Sequence, residues 1–210
     1  MVTLFMPILT VFGLNVYDPI PKPNILSQKE IRLSNRQPVL SVNEVFKKNI
    51  LLNLFYLDNR IRPGQKVEWD EITKPFSISF KLNPGEVFAY HDDVLPQYQT
   101  KVVKTTNAHF NATEGFLTDG YLYGDGVCHL ASIIYWTAKE AGLDSVAPTN
   151  HNFASIPEVP KEYGVSIYNN PRASGSNVRQ NLYITNNLQN PVTFIFEYKN
   201  DNLKVIAVES

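Results

Sequence analysis

Val127, Ala131, Ile134, Ala138 and Ala141 recur at intervals of three and four, and this spacing constrains the chain more than any other feature. It predicts an amphipathic helix, with Gly142 in Ala141-Gly142-Leu143 as the C′ residue that stops it. Asp125 is the expected N-cap, between Gly124 and Gly126, whose missing side chains let a backbone or ligand come close. The single cysteine, Cys128, then falls in the first turn. Unpaired amides and the positive end of the helix dipole favour a thiolate there, so the thiol pKa is expected to fall unless Cys128 is deeply buried. Ser132 and Tyr135, four and seven residues on, share its side of the helix. A lone cysteine is just as readily a small buried apolar residue, and position alone leaves both readings open.

A length of 210 residues suits one domain with a real core plus an appendage, expected here as an apolar segment over 1–17, a spacer over 18–40 and a domain over 41–210. Met1 to Val16 carries no charge, but it is shorter than the roughly 20 residues that span a bilayer and lacks a leading Lys or Arg. It reads as the end of a membrane anchor or export element, or else as an apolar strand. Asp18 to Asn24 has prolines at alternate positions, which imposes an extended path. The net charge of −1 shows no basic surplus, so no nucleic-acid partner is expected. One cysteine excludes an intramolecular disulfide and Cys-rich zinc sites, and no cofactor is implied.

Ser41 and Glu44 form a capping-box pattern at the start of a helix over 41–57. Arg62-Pro63-Gly64-Gln65 and Asn83-Pro84-Gly85-Glu86 read as type II turns, each feeding a strand, in successive hairpins. Between them Phe76, Ile78 and Phe80 alternate with polar residues, the pattern of a half-buried strand. Strands are expected again at Val165–Tyr168, Leu182–Ile184, Val192–Tyr198 and Leu203–Val208, with Asn200-Asp201-Asn202 as a hairpin tip. The fold class is therefore α+β, an antiparallel sheet packed around a central helix that carries the cysteine at its N-terminus.

A cysteine nucleophile needs a base, and His151 follows the helix by about one loop, so the chain can return it to the helix start. His129 points about 100° around the helix from Cys128 and is a poorer base, better placed to contact substrate. His91 and His109 read as partly exposed structural residues. Metal binding is the competing use of these side chains; His91-Asp92-Asp93 is the only weak cluster, and no functional metal is expected.

These residues resemble the VanW-like domain of Gram-positive and related bacterial envelope proteins. The likeness runs through Gly124, Gly126-Val127-Cys128-His129, Ala131-Ser132, Ile134-Tyr135, Ala138, Ala141-Gly142-Leu143 and Asn150-His151-Asn152. It extends to Pro84-Gly85-Glu86-Val87-Phe88 upstream and Asn190-Pro191-Val192 downstream, covering roughly Asn49 to Val208. His129 stands where the family has glutamine, Asp125 where it has a glycine, and Lys161-Glu162-Tyr163-Gly164 where it has Gly-x-Asp-Ala. An orienting partner for His151 must then be Glu162 or an asparagine such as Asn169, or be missing. The order of Cys on a helix start, then His before a strand, is also loosely similar to transglutaminase-like enzymes, by analogy only.

The resemblance implies cell-wall chemistry, since some members are L,D-transpeptidases that join peptidoglycan stem peptides through a cysteine acyl-enzyme. Cys128 would be the nucleophile, His151 the base and Glu162 its orienting group. Gly126, Val127 and His129 would supply oxyanion amides, with Ser132, Tyr135 and Asn150 near substrate. The resemblance also implies an extracytoplasmic protein, associated with membrane or wall. Two alternatives remain: a non-catalytic wall-binding module whose aromatic and Asn-rich loops grip glycan or peptide, and a cysteine endopeptidase or amidase using the same site.

Overall fold

The structure, a computed structural model, describes residues 24–120, 123–172 and 174–209. The segment 1–17, where membrane anchorage was expected, lies outside the described residues, and among those described no helix is long and apolar enough to cross a membrane. In chain order the elements are β1 (Asn24–Arg32), α1 (Leu40–Leu57), the single turn α2 (Trp69–Ile72), β2 (Phe76–Leu82), β3 (Val87–Ala89) and β4 (Val102–Lys104). Then come α3 (Val127–Glu140), β5 (Asp144–Val146), the short α4 (Ser174–Asn177), β6 (Tyr183–Thr185), β7 (Val192–Lys199) and β8 (Asn202–Glu209).

Two four-stranded sheets result, ordered β1-β8-β7-β2 and β4-β3-β6-β5. Every pairing is antiparallel except β3 with β4, so the fold is α+β with two mostly antiparallel sheets and few helices. The β7–β8 hairpin turns on Asn200 and Asp201, with φ of 52° and 60°, the paired positive φ that a two-residue turn needs to match strand twist. β2 buries Ile78, Phe80 and Leu82 and exposes Ser77, Ser79 and Lys81, as its alternation requires. Phe80 then joins the sheets, since its ring stacks on Phe194 of β7 at 5.2 Å and on Phe88 of β3 at 4.9 Å.

Three expectations change here. Residues 24–32, assigned to a spacer, are an edge strand paired along β8, so the folded unit begins well before residue 41. Both Pro-Gly turns form, with φ of 81° at Gly64 and 82° at Gly85, but neither closes a hairpin. The first leads into α2, and the second carries the chain from β2 in one sheet to β3 in the other. Residues 165–168 form no strand; one isolated bridge pairs Val165 with Asn150.

α1 starts at Leu40 on Val39 as N-cap, so the Ser41–Glu44 capping box does not form. Asn43 secures the start instead: its Oδ1 accepts from the amides of Arg36 and Gln37 at 2.6 and 3.0 Å, and its Nδ2 donates to Leu33 O at 3.0 Å. Farther on α1 is buried all round from Asn49 to Leu54. Asn49 is fully hydrogen-bonded there, donating to Leu117 O and Asp125 O and accepting from the Leu117 amide. One buried side chain thus clamps both ends of the loop that feeds α3.

Asn53, one turn later and 0% exposed, has no protein partner for either amide atom. A buried amide without partners costs about 1–3 kcal/mol. Replacement by the similarly sized leucine, Asn53→Leu, is therefore expected to stabilise the protein by about 1–2 kcal/mol in urea unfolding; a loss of stability would show that the amide is satisfied.

Candidate functional site

α3 forms where its spacing predicts. Val127, Ala131, Ile134 and Ala138 are all buried, packed toward β1, β8 and α1. Fully buried Leu130, Ile133 and Ile134 each contribute about 1.5–3 kcal/mol through removal from water. The helix ends at Gly142, φ 78°, where the amides of Gly142 and Leu143 donate to Lys139 O and Ala138 O in a Schellman pattern. Its N-cap is Gly126 rather than Asp125. Gly126 has φ 98°, and a Cβ there would meet Phe46 O of α1 at 2.7 Å, so only glycine allows this approach of the two helices. The Asp125 carboxylate accepts from the Asp119 amide at 3.2 Å, and burial pushes its pKa up to about 6.

Cys128 lies in the first turn, half-buried, at the wall of a cavity of about 560 Å³. The same cavity is lined by His129, His151, Asp125 and the extended segment around Ile167. That segment explains the missing strand. The amides of Val165 and Ile167 turn to α3, the first donating to Ser132 Oγ at 2.9 Å and the second to Cys128 Sγ at 3.4 Å. The Cys128 thiol donates back to Ile167 O at 3.5 Å, and Ser132 Oγ donates to Cys128 O at 2.7 Å. The intervening Ser166 and the following Tyr168 donate instead to Thr149 O and Gln180 O. Ser132 is therefore committed to holding this segment, not to substrate.

The thiol pKa moves against the expectation from the helix dipole. Burial pushes it up to about 11; the Ile167 and Cys128 amides act to lower it, and the Asp125 carboxylate to raise it further. Two of the amides expected to form an oxyanion hole are engaged within the turn, Val127 N–H with Gly124 O and His129 N–H with Gly126 O. The Val127 carbonyl accepts from the Tyr90 hydroxyl at 3.0 Å.

His151 lines the same cavity as Cys128 and is 7% exposed. Its Nδ1–H donates to Ala154 O at 3.1 Å, which leaves Nε2 as the basic nitrogen of the neutral ring. Burial lowers its pKa. Glu162 does not serve as its orienting group: it is exposed in a single 3₁₀ turn over Lys161–Tyr163 and has no hydrogen bond to His151. Asn169 bonds Asp93 at 3.4 Å, so the partner of His151 is a backbone carbonyl. His129 sits between Phe46 and His151, with ring centroids at 5.1 and 6.3 Å, and burial drives its pKa down to about 3.

Tyr135 faces Tyr163, centroids 6.1 Å apart, and is not among the cavity residues. Asn150 donates to Lys161 O at 3.4 Å while its buried Oδ1 has no partner. His91, expected to be partly exposed, is fully buried and donates through Nε2 to Gln180 O. His109 lies between Asp92 and Glu114, whose carboxylates raise its pKa to about 10. Among the described residues no group of His, Cys, Asp and Glu converges as a metal site. Sequence reasoning missed Ala154 and Ile167, which act through backbone atoms and leave no side-chain signature. It also missed the cavity aromatics Tyr123, Phe153 and Tyr168, whose signal is a large ring isolated in a loop.

Fold and site together define an α+β protein with a cavity walled by one cysteine, the neutral imidazoles of His129 and His151, and the charged His109. The family model described as VanW like protein matches residues 78–208, well over half of the chain. The chain belongs to the VanW-like family, which suggests a cell-envelope-related protein. Neither a curated protein nor a solved structure matches the chain.

A thiol with its pKa raised to about 11 is protonated at neutral pH. Alkylation of Cys128 by iodoacetamide is expected to be slow at neutral pH and to climb through the alkaline range toward that value, with Asp125→Asn moving the midpoint down. Fast alkylation at neutral pH in the native protein would contradict this electrostatic picture.

Proposed function

We propose that this protein is a cell-envelope cysteine acyltransferase acting on peptidoglycan stem peptides, of the L,D-transpeptidase type. The observation that carries the reading is that Cys128, in the first turn of a helix, and His151, its Nδ1 tied down by Ala154 O, wall one cavity large enough for a peptide segment. In this reading the protein works outside the cytoplasm, associated with membrane or wall. Its cysteine-on-helix and downstream-histidine order is used in a loosely transglutaminase-like way.

Since burial keeps the thiol protonated, attack and proton loss have to coincide. Donor binding exchanges the Ile167 contacts of Sγ for His151; Nε2 takes the thiol proton as Sγ bonds to the peptide carbonyl carbon. The tetrahedral adduct then collapses, the C–N bond breaks, and the imidazolium returns the proton to the leaving amine. A second stem's amine attacks the thioester, loses a proton to Nε2, and expels the thiolate, which is reprotonated.

A second reading is a non-catalytic wall-binding module, and one observation favours it: both hydrogen bonds of Sγ go to the Ile167 backbone and none to an imidazole. Catalytic hydrogen bonds are often made only in the substrate complex, so this contact does not decide between the two. Incubation with a tetrapeptide stem, followed by intact-protein mass spectrometry, does. Acyl transfer predicts an adduct on Cys128 that an added amine resolves, absent in Cys128→Ala and formed roughly 10²–10⁴-fold more slowly in His151→Gln. No adduct, with stem peptide still bound equally by Cys128→Ala, establishes the binding module. Resolution by water alone, with amine present, makes the protein a hydrolase.

A further inference from the structure

Three aromatic side chains stand exposed among the described residues, Tyr123 at 52%, Phe153 at 78% and Tyr168 at 38%, and all three line the cavity that holds Cys128. They come from three separate segments: the loop before α3, the loop after His151, and the end of the extended segment held against α3. Convergence on one mouth of every exposed aromatic ring among the described residues is not the scatter expected of an ordinary surface. Phe153 lies against the His151 ring, centroids 3.9 Å apart, so the rim reaches the reacting groups.

The rest of the wall narrows the ligand chemistry. Gln37, Asn111, Asn169 and Gln180, all half-buried, bring uncharged carboxamides to the wall, of which Asn111 Oδ1 caps a 3₁₀ turn and Asn169 Nδ2 donates to Asp93. No Lys, Arg or Glu is among the described lining residues, and the ionisable ones besides Cys128, His129 and His151 are His109, Asp125, Tyr123 and Tyr168. Aromatic rings alone would also stack nucleobases, but a nucleic acid needs a basic track for its phosphates, and the one cationic side chain among the described lining residues, His109, is already paired with Asp92 and Glu114. Neutral carboxamides and exposed ring faces together suit a ligand with apolar C–H faces and a dense edge of hydroxyl and acetamido groups, which is the chemistry of an N-acetylated hexose.

We propose that the Tyr123–Phe153–Tyr168 rim is a saccharide subsite that stacks N-acetylhexosamine rings of a glycan strand across the cavity mouth. The substrate of the acyl-transfer reaction is then the glycan-linked stem rather than a free peptide, a conclusion that rests on the function proposed above. The rim fixes the strand, and the attached stem descends toward Cys128.

Calorimetric titration of the intact protein with a tetramer of N-acetylglucosamine, which carries no peptide, tests the subsite. Saturable binding is expected, weakened roughly three- to tenfold by each of Tyr123→Ala, Phe153→Ala and Tyr168→Ala, and unchanged by Val103→Ala at an exposed position on β4. No saturable binding, or rim variants no weaker than Val103→Ala, overturns the proposal. Acylation of Cys128 by a stem peptide carried on its N-acetylated disaccharide is read in parallel. Tetramer binding without acylation leaves the subsite standing and refutes acyl transfer; acylation without tetramer binding refutes the subsite alone.

Discussion

The site depends on a match of spacing between a helix and an extended chain. Four residues of α-helix rise about 6 Å, and two residues of extended chain span about 6.6 Å. Side chains at i and i+4 on α3 can therefore receive alternate amides of a segment running alongside, as Ser132 and Cys128 receive Val165 and Ile167. Backbone groups that would otherwise need a neighbouring strand are satisfied by a hydroxyl and a thiol. The same match sets the chemistry of Cys128, since contact with Ile167 both encloses the sulfur, which raises its pKa, and presents an amide that works against that rise.

Around this line each feature of the cavity has a separate anchor. Asn49 holds the loop that enters α3 by its two ends, at Leu117 and Asp125. The loop beyond His151 is fixed at its far end by Arg36, almost fully buried, which donates to Pro157 O and pairs with Glu158 at 2.7 Å. Asn181 and Asn177 secure the 169–181 side, donating to His91 O and to the Asp93 carboxylate. Buried asparagine and arginine groups with most of their partners supplied cost little to bury and tolerate few alternative packings.

Much of this was legible in the sequence, and the failures share a physical cause. Strict apolar spacing located α3 and its Gly142 stop, strict alternation located β2, and Asn200-Asp201 located the β7–β8 turn. The chain returns His151 to the cavity that Cys128 lines, as a loop following the helix allows, while the hydrogen bonds of Sγ go to Ile167. β1 was missed because its partner β8 lies at the other end of the chain, and pairing at that distance leaves no local pattern. The segment 165–168 was taken for a strand from its sequence pattern, although two of its amides, those of Val165 and Ile167, go to side chains of α3. The thiol pKa was expected to fall unless the sulfur was deeply buried, and burial, which the helix position alone does not reveal, decides the direction. Glu162 was chosen by distance along the chain, whereas Ala154 O, three residues from His151, was already within reach.

The position of Asn49 carries one more consequence. The family model begins at residue 78, while β1, α1 and the Asn49 clamp all precede it. In this chain the family segment leans on what precedes it: without β1 and α1, β8 would present a bare edge, α3 would keep β8 and β5 but lose its contacts with β1 and α1, and the loop ahead of Cys128 would lose the Asn49 clamp. The chemistry sits in the shared portion, but its shape is imposed by the part that precedes it.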